Sequence, residues 1–217
     1  MPQIHPGLAC LTLAAGGGTR LGGGKLLLPW KGRPLVVHAL EKSLAAPGLA
    51  SVVLVLGHQA AALRHALKDV IAPDILPFLR IAYNARWREG QSTSLLCGIQ
   101  ALLNSPEADA LESVLVLLGD QTLVKEDTIR LLCMAHNEAR ADNTGHAATV
   151  PTYRGKRGNP VILSRILLPS LLTLSGDTGA RGLLTHLGEN LLRLPVDDRG
   201  VLLDVDTPQD YADLLAR

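Results

Sequence analysis

The sequence contains few cysteines, and their arrangement excludes two classes of small stabilised domain. Its three cysteines, Cys10, Cys97 and Cys133, lie far apart and form no Cys-x-x-Cys pair. This spacing predicts reduced thiols rather than a disulfide framework, and the scattered histidines complete no zinc-binding pattern with them. We therefore expect a cytoplasmic protein.

The sequence also lacks an excess of charge of either sign and a long hydrophobic run. The formal net charge is +1, and no basic run exceeds two residues, so no nucleic-acid partner is expected. No apolar stretch approaches the roughly 20 residues of a membrane span. The first residues lack a basic segment, and the first apolar run ends in glycines, so we expect no signal peptide and no membrane partner.

What the chain does contain is a regular alternation of apolar strand-like and amphipathic helix-like segments. With 47% hydrophobic and 19% charged residues, the chain is expected to fold, and residues 1–217 suit one domain. The alternation predicts an α/β protein, a three-layer Rossmann-like fold with a mostly parallel sheet. Strands are predicted at 8–13, 51–56, 79–83, 114–118, 147–151, 161–163, 191–196 and 201–203, and helices at 34–45, 59–67, 91–103, 125–139, 164–174, 178–187 and from 208.

A glycine-rich segment follows the first predicted strand and is the clearest candidate for a binding site. Six glycines occur within the nine positions 16–24, a composition that disfavours both helix and strand. Glycine permits a positive φ, which we expect at Gly16, and successive backbone N–H groups in such a loop can bind an anion. Arg20 and Lys25 add positive charge, so the segment predicts a bound polyphosphate.

Two common glycine motifs do not match this segment. A Walker loop ending at Gly24-Lys25 would need glycine at Thr19 and a hydroxyl residue at Leu26. The dinucleotide pattern Gly-x-Gly-x-x-Gly fails because Leu21 stands at its last position. A flexible linker is the remaining alternative, and it is disfavoured because glycine linkers rarely follow a buried strand.

The loop, read as Leu-Ala-Ala-Gly, a small residue, Arg, an apolar residue, Gly and then Lys, resembles the nucleotide loop of the MobA-like nucleotidyltransferases. Within them the chain is most similar to the molybdenum cofactor cytidylyltransferases. The resemblance continues at Gly119-Asp120-Gln121 and at Asp204-Val205-Asp206-Thr207-Pro208. Thr122 departs from the usual proline, and an extra glycine precedes Thr19.

This resemblance implies a Mg²⁺-dependent enzyme, with Mn²⁺ as an alternative metal, that transfers CMP from CTP to molybdenum cofactor and releases pyrophosphate. Asp120 and Asp206 would bind the metal, and Arg20, Lys25 and Asp120 would be catalytic. The implied nucleotide-binding residues are Leu13, Ala14, Ala15, Gly16, Gly17, Gly18, Thr19, Arg20, Lys25, Gly57 and His58. The implied acceptor-binding residues are Ser92, Arg157, Asn159, Asp177 and Arg181.

Several alternatives remain open at this point. The same fold also serves guanylyltransferases and other nucleotidyltransferases, and a non-enzymatic cofactor carrier or a nucleotide-sensing regulator would bind similar ligands. A cofactor product implies transient contact with a molybdenum hydroxylase or its maturation factor. Residues 176–181 could also form a corner between two helices without a role in binding. Asp204 could have a structural role, and Asp197-Asp198 could form a solvated turn.

Overall fold

A computed structural model describes residues 7–68, 70–71, 76–173, 176 and 179–217. Within these residues eight strands form one sheet, and two short strands form a separate hairpin. The strands are β1 Leu8–Ala14, β2 Pro29–Trp30, β3 Arg33–Pro34, β4 Leu49–Leu56, β5 Leu79–Tyr83, β6 Ser113–Leu118, β7 Ala148–Tyr153, β8 Lys156–Arg157, β9 Val161–Ser164 and β10 Leu191–Pro195. The helices are α1 Leu35–Leu44, α2 Ala60–Lys68, α3 Gln91–Leu103, α4 Glu126–Ala141, α5 Leu168–Leu171, α6 Arg181–His186 and α7 Pro208–Leu215.

The main sheet has the strand order β10-β7-β9-β6-β1-β4-β5, with β8 paired to β7. Strand β1 is central and runs parallel to β4 and β6, and β4 runs parallel to β5. Only β9 and the short β8 run antiparallel to their neighbours in the described sheet. The prediction of a mostly parallel α/β sheet is confirmed.

Helices cover both faces of the sheet, which explains why its central strands are apolar throughout. One buried cluster joins alternate residues of β1 and β4 to α1, α2 and α4, and a second joins the other residues of those strands to α3, α5 and α6. Because β1, β4, β5 and β6 are parallel, their carboxyl ends all lie at one edge. Strand β9 is antiparallel, so the turn that precedes it lies at the same edge.

Two sequence expectations near the end of the chain are wrong. The segment Val201–Leu203 does not form a strand, because residues Arg199–Leu202 form a 3-10 turn. Asp198 is not in a solvated turn, since it is only 3% exposed. Its carboxylate accepts hydrogen bonds of 2.8 Å each from the backbone N–H groups of Lys125 and Gly200 and from the Thr128 hydroxyl. These donors compensate the burial of its charge.

The two helices predicted at 164–174 and 178–187 are shorter than expected. The first is reduced to a 3-10 turn and the single turn of α5, and the second begins only at Arg181. Gly176 and Gly179 adopt positive φ values of 76° and 52°, which interrupt helical geometry. Asp177, an implied acceptor-binding residue, lies outside the described residues.

The three cysteines are free thiols. Burial raises the pKa of both Cys10 and Cys133 to about 12, so neither is a reactive thiolate at neutral pH. Among the described helices, none combines the length and the apolar character that crossing a bilayer requires.

A buried histidine makes the stability of the fold depend on pH. His136 of α4 is 1% exposed, and its two ring nitrogens each lie 2.9 Å from a hydroxyl, of Ser113 and of Thr149. Burial, reinforced by the positive charges of Arg140 and His146, lowers the pKa of His136 from 6.5 to about 4. Between pH 6.5 and about pH 4 the histidine at position 136 is protonated in the unfolded chain but not in the folded protein. We therefore expect the free energy of unfolding to fall as pH drops through this range, by about 3 kcal/mol in total.

Urea denaturation of the wild type and of His136→Gln at several pH values between 4 and 7 measures this dependence. The variant should lose most of the slope. His65→Gln, which changes an exposed histidine of α2, should keep it. Identical slopes in His136→Gln and the wild type would contradict the assignment.

Candidate active site

A cleft of about 1080 Å³ opens at the carboxyl edge of the parallel strands. Open α/β sheets bind their ligands at this edge. The glycine loop after β1, the turn after β5, the end of β6, the turn before β9 and the start of α6 line it. Thirteen residues named from the sequence are among its lining: Leu13, Ala15, Gly16, Gly17, Gly18, Thr19, Arg20, Lys25, Asp120, Arg157, Asn159, Arg181 and Asp206.

The glycine loop turns back on itself around one carbonyl group. The Gly18 carbonyl accepts hydrogen bonds from Leu21 N at 3.0 Å and from Gly23 N at 3.1 Å. Gly18 has a φ of 58°, and Gly22–Gly24 also have positive φ values. The expectation for Gly16 is wrong, because Gly16 does not have a positive φ and a Cβ added there would contact nothing within 4 Å.

The difference between these two glycines gives a matched pair of variants. A Cβ at Gly18 would have a strained backbone and would lie 2.8 Å from Cγ of Lys25. We expect Gly18→Ala to lower the free energy of unfolding by about 1–2 kcal/mol and to weaken nucleotide binding, while Gly16→Ala leaves stability nearly unchanged. Denaturant titration and calorimetry measure both quantities. Equal stability of the two variants would contradict the conformation described for the loop.

Lys25 joins the loop to both predicted metal ligands. Its Nζ donates hydrogen bonds of 2.5 Å to Asp120 Oδ2 and of 2.5 Å to Asp206 Oδ1. Burial alone would lower the pKa of Lys25, but the two carboxylates outweigh it and raise the pKa above the usual value, so the ammonium is charged. Arg20 lies farther out, with Nη1 3.8 Å from Asp206 Oδ2.

Local structure explains how the two aspartates meet. Asp120 follows β6, and Gly119 N donates to Leu13 O at 2.9 Å, which ties this turn to the start of the glycine loop. Asp206 precedes α7, whose N-cap is Thr207 in a capping box with Asp210. Because Thr207 caps the helix, the Asp206 carboxylate is free to contact Lys25.

A second polar pair lies beside this centre. Gln121 Nε2 donates to Asp204 Oδ1 at 2.5 Å. Asp204 as a whole is exposed to the cleft, but partial desolvation of its carboxylate, with the nearby charge of Asp120, raises the pKa of Asp204. Within the described residues, the buried atoms Asp120 Oδ1, Gln121 Oε1 and Thr122 Oγ1 have no hydrogen-bond partner. The centre therefore holds more oxygen acceptors than the protein itself satisfies.

Arg157 of β8 and Arg181 of α6 form a second positively charged wall of the cleft. Arg157 ends β8 and Asn159 lies in the turn between β8 and β9, where Asn159 N donates to Val201 O at 2.9 Å. Burial lowers the pKa of Arg157, and the like charges of Arg181 and Arg193 lower it further. This wall suits an anionic group.

Comparison with known proteins identifies the family. The model of the MobA-like NTP transferase domain matches residues 10–191. The chain belongs to the MobA-like NTP transferase family.

Two curated relatives and one solved structure align with almost the whole of this MobA-like chain. Nicotine blue oxidoreductase of Paenarthrobacter nicotinovorans is 34% identical over 96% of this chain and 98% of that protein. Purine catabolism protein PucB of Bacillus subtilis is 30% identical over 95% of each. The crystal structure of Rv0371c from Mycobacterium tuberculosis, 27% identical, superposes with a TM-score of 0.75 over 97% of this chain and 98% of that one.

Four residues named from the sequence do not line the cleft of this MobA-like chain. Ala14 is buried in β1, and the backbone N–H of His58, next to Gly57, donates to Ala15 O at 3.0 Å. Ser92 is buried, and both its backbone N–H and its hydroxyl donate to the Gly176 carbonyl. Ser92 therefore ties α3 to the segment before α6.

Trp87 and Arg88 are among the cleft-lining residues that the sequence did not point to. They occupy the 3-10 turn Trp87–Glu89 that follows β5. An aromatic residue beside a basic residue in a turn at the carboxyl end of a strand is the sequence signal that could have identified them.

Proposed function

We propose that this protein transfers a cytidylyl group from CTP to molybdenum cofactor in a reaction that depends on Mg²⁺ or Mn²⁺. The observation that carries the proposal is the contact of Lys25 with both Asp120 and Asp206 beside the glycine loop. A cation and two carboxylates at a phosphate-binding loop match the needs of nucleotidyl transfer. We propose a cytoplasmic location, which the three free cysteines support.

The reaction needs positioning and charge stabilisation more than proton transfer. A phosphate acceptor has a second pKa of about 6, so it attacks as a dianion without a general base. Its oxygen forms a bond to the α-phosphorus of CTP while the bond to pyrophosphate breaks. Lys25 and Arg20 stabilise the negative charge that develops on the phosphates. Backbone N–H groups of residues 16–18 hold the phosphates in place.

The residues present fit a divalent metal ion. Asp120 Oδ1 is buried without a partner among the described residues, and Asp206 Oδ2 contacts only the distant Arg20 there. In the part of the chain described, no group of three or more His, Cys, Asp or Glu side chains is placed to hold a metal. Two carboxylates nevertheless suffice, because Mg²⁺ usually takes one or two, with substrate phosphates and water.

When bound, Mg²⁺ or Mn²⁺ would neutralise phosphate charge, and Asp120 and Asp206 would hold it. A manganese complex of Rv0371c, 26% identical with a TM-score of 0.71, supports the choice of a divalent metal.

Residues on the positive wall are the proposed acceptor contacts. Arg157, Asn159 and Arg181 line the cleft, and a planar guanidinium binds phosphate in bidentate fashion. Ala15 at the end of the loop is the proposed contact that favours cytosine. The product would then pass to a molybdenum hydroxylase or its maturation factor.

Arg181→Ala should raise the KM for molybdenum cofactor several-fold and leave the affinity for CTP unchanged. Arg181→Lys should restore little, because an ammonium cannot replace a bidentate contact. Steady-state kinetics with each substrate varied in turn, and melting temperatures of both variants, measure these effects. An unchanged cofactor dependence, or earlier melting alone, would show that Arg181 serves only the structure.

A panel of the four nucleoside triphosphates with purified molybdenum cofactor tests the proposed function, with product mass and pyrophosphate release as readouts. CTP should give the cytosine dinucleotide product. Product from GTP would make the protein a guanylyltransferase. Binding of nucleotide without release of pyrophosphate would indicate a carrier or a regulator. Because one relative is named an oxidoreductase, oxidation of NADH and NADPH is monitored in a separate arm, where no turnover is expected.

A further inference from the structure

The turn after β5 places an aromatic and a cationic side chain in the cleft that the proposed reaction does not use. Trp87 and Arg88 both line the cleft. Trp87 is half-buried and Arg88 is exposed. The guanidinium carbon of Arg88 lies 4.4 Å from the centroid of the Trp87 ring, a cation–π contact. The two side chains thus form one positively charged, aromatic patch of the cleft.

Buried polar contacts hold this turn in one orientation. The Asn84 amide donates to Thr93 Oγ1 at 2.9 Å and to Ser94 Oγ at 3.0 Å, and Asn84 Oδ1 accepts from Arg86 N at 2.9 Å. Thr93 Oγ1 also lies 3.0 Å from Arg86 O and 2.8 Å from Gly90 O. Both ends of the turn are therefore tied to the start of α3, so little ordering is needed when a ligand binds.

Trp87 contacts the two segments that the sequence assigns to the nucleotide. A Cβ on Gly17 would lie 3.0 Å from Trp87 Cζ3, and a Cβ on Gly57 would lie 2.7 Å from Trp87 Cβ. The His58 ring packs edge-on against the indole, with centroids 4.9 Å apart. Trp87 therefore lies between the glycine loop and the end of β4.

The charges of the turn single out Arg88. Arg86 is neutralised by Glu89, which accepts three hydrogen bonds from its guanidinium. Arg88 has no carboxylate partner among the residues that the structure describes. Its planar guanidinium can stack against a ring and donate to ring oxygen or nitrogen atoms at its edge.

We propose that Trp87 and Arg88 form the wall on which the nucleobase of the donor nucleotide stacks. The Trp87 ring lies against Gly17 of the glycine loop, which also lines the cleft, and this places Trp87 on the donor side. The acceptor-side corner instead meets the start of α3, where Ser92 donates to Gly176 O and a Cβ on Gly179 would lie 2.5 Å from Gln91 Oε1. The inference rests on the proposed function only in that a nucleotide is the donor, and it does not depend on which base is used.

Calorimetry with ligands that do and do not carry a base tests this inference. The ligands are the four nucleoside triphosphates and inorganic tripolyphosphate, each titrated into the wild type, Trp87→Ala, Trp87→Phe and Arg88→Ala. Trp87→Ala and Arg88→Ala should each weaken nucleotide binding, Trp87→Ala by about tenfold. Both should bind tripolyphosphate as the wild type does, and Trp87→Phe should keep most of the nucleotide affinity.

Arg86→Ala is the matched control, since it removes a neighbouring positive charge that Glu89 already neutralises. Arg86→Ala should change neither the affinity for nucleotides nor the affinity for tripolyphosphate. The chain has two tryptophans, Trp30 and Trp87, so in Trp30→Phe the emission reports Trp87 alone. Nucleotides should quench this emission, and tripolyphosphate should not.

Equal losses for nucleotide and tripolyphosphate, or unchanged nucleotide binding in both Trp87→Ala and Arg88→Ala, would overturn the inference. Base-dependent binding without any transfer product would instead overturn the proposed reaction and leave this inference standing. If the wild type forms product but neither Trp87→Ala nor Arg88→Ala weakens nucleotide binding, the proposed reaction stands and this inference is overturned. A wild type that binds no nucleotide would overturn both.

Discussion

Asp120→Asn is expected to lower the rate of nucleotidyl transfer by about a hundredfold or more without disturbing the fold. Asparagine keeps the shape of the side chain and can still accept a hydrogen bond from Lys25, so only the negative charge is lost. The Asp120 carboxylate lies two residues past the end of β6, and its Oδ1 is buried without a partner among the described residues. Pyrophosphate release at saturating CTP, measured across a magnesium titration, reports the effect.

Asp206→Asn and Asp204→Asn serve as matched comparisons for Asp120→Asn. Asp206 contacts the same lysine, so its variant should also lose most activity. Asp204 lines the cleft but is held by Gln121 rather than by Lys25, so its variant should lose less. A wild-type rate for Asp120→Asn at low magnesium would remove Asp120 from the metal site.

Lys25→Met is expected to change metal binding and transfer in opposite directions. The Lys25 ammonium contacts both carboxylates that are proposed to hold the metal. Without it the two carboxylates repel each other, and the free energy of unfolding should fall. The fall should be limited to about 2 kcal/mol, because Asp206 is partly exposed and water screens part of the repulsion. Mn²⁺ should then bind more tightly than in the wild type in the absence of nucleotide, and should restore the lost stability. Transfer should nevertheless slow sharply, because no ammonium remains to stabilise the phosphates.

Metal titration by calorimetry and thermal melting with and without Mn²⁺ measure these effects. Lys42→Met is the control. Lys42 donates to the Thr122 carbonyl rather than to a carboxylate, and burial lowers its pKa to about 8. Its replacement should leave Mn²⁺ affinity unchanged. If Mn²⁺ binds to Lys25→Met no more tightly than to the wild type, the shared carboxylate site is wrong.

The strands of the sheet and the general place of the site could be predicted from sequence. A strand buried on both faces must be apolar along its whole length, as β4 and β6 are. A carboxylate two residues past the end of such a strand, as Asp120 is, is thereby placed at the ligand-binding edge. The glycine composition of residues 16–24 likewise predicted a loop with positive φ values, because few other residues tolerate them.

Other features depend on contacts between distant segments, which local patterns do not encode. The apolar triplet Val201–Leu203 looks like a strand, but Asp198 receives its hydrogen bonds from Lys125 and Thr128 of another segment, and these hold the 3-10 turn. Which glycine must remain glycine is decided by the Lys25 side chain, which passes close to Gly18 and not to Gly16. Composition and periodicity therefore predicted the layers and the cleft. The position of each charge within the cleft depended on chain segments that meet only after folding.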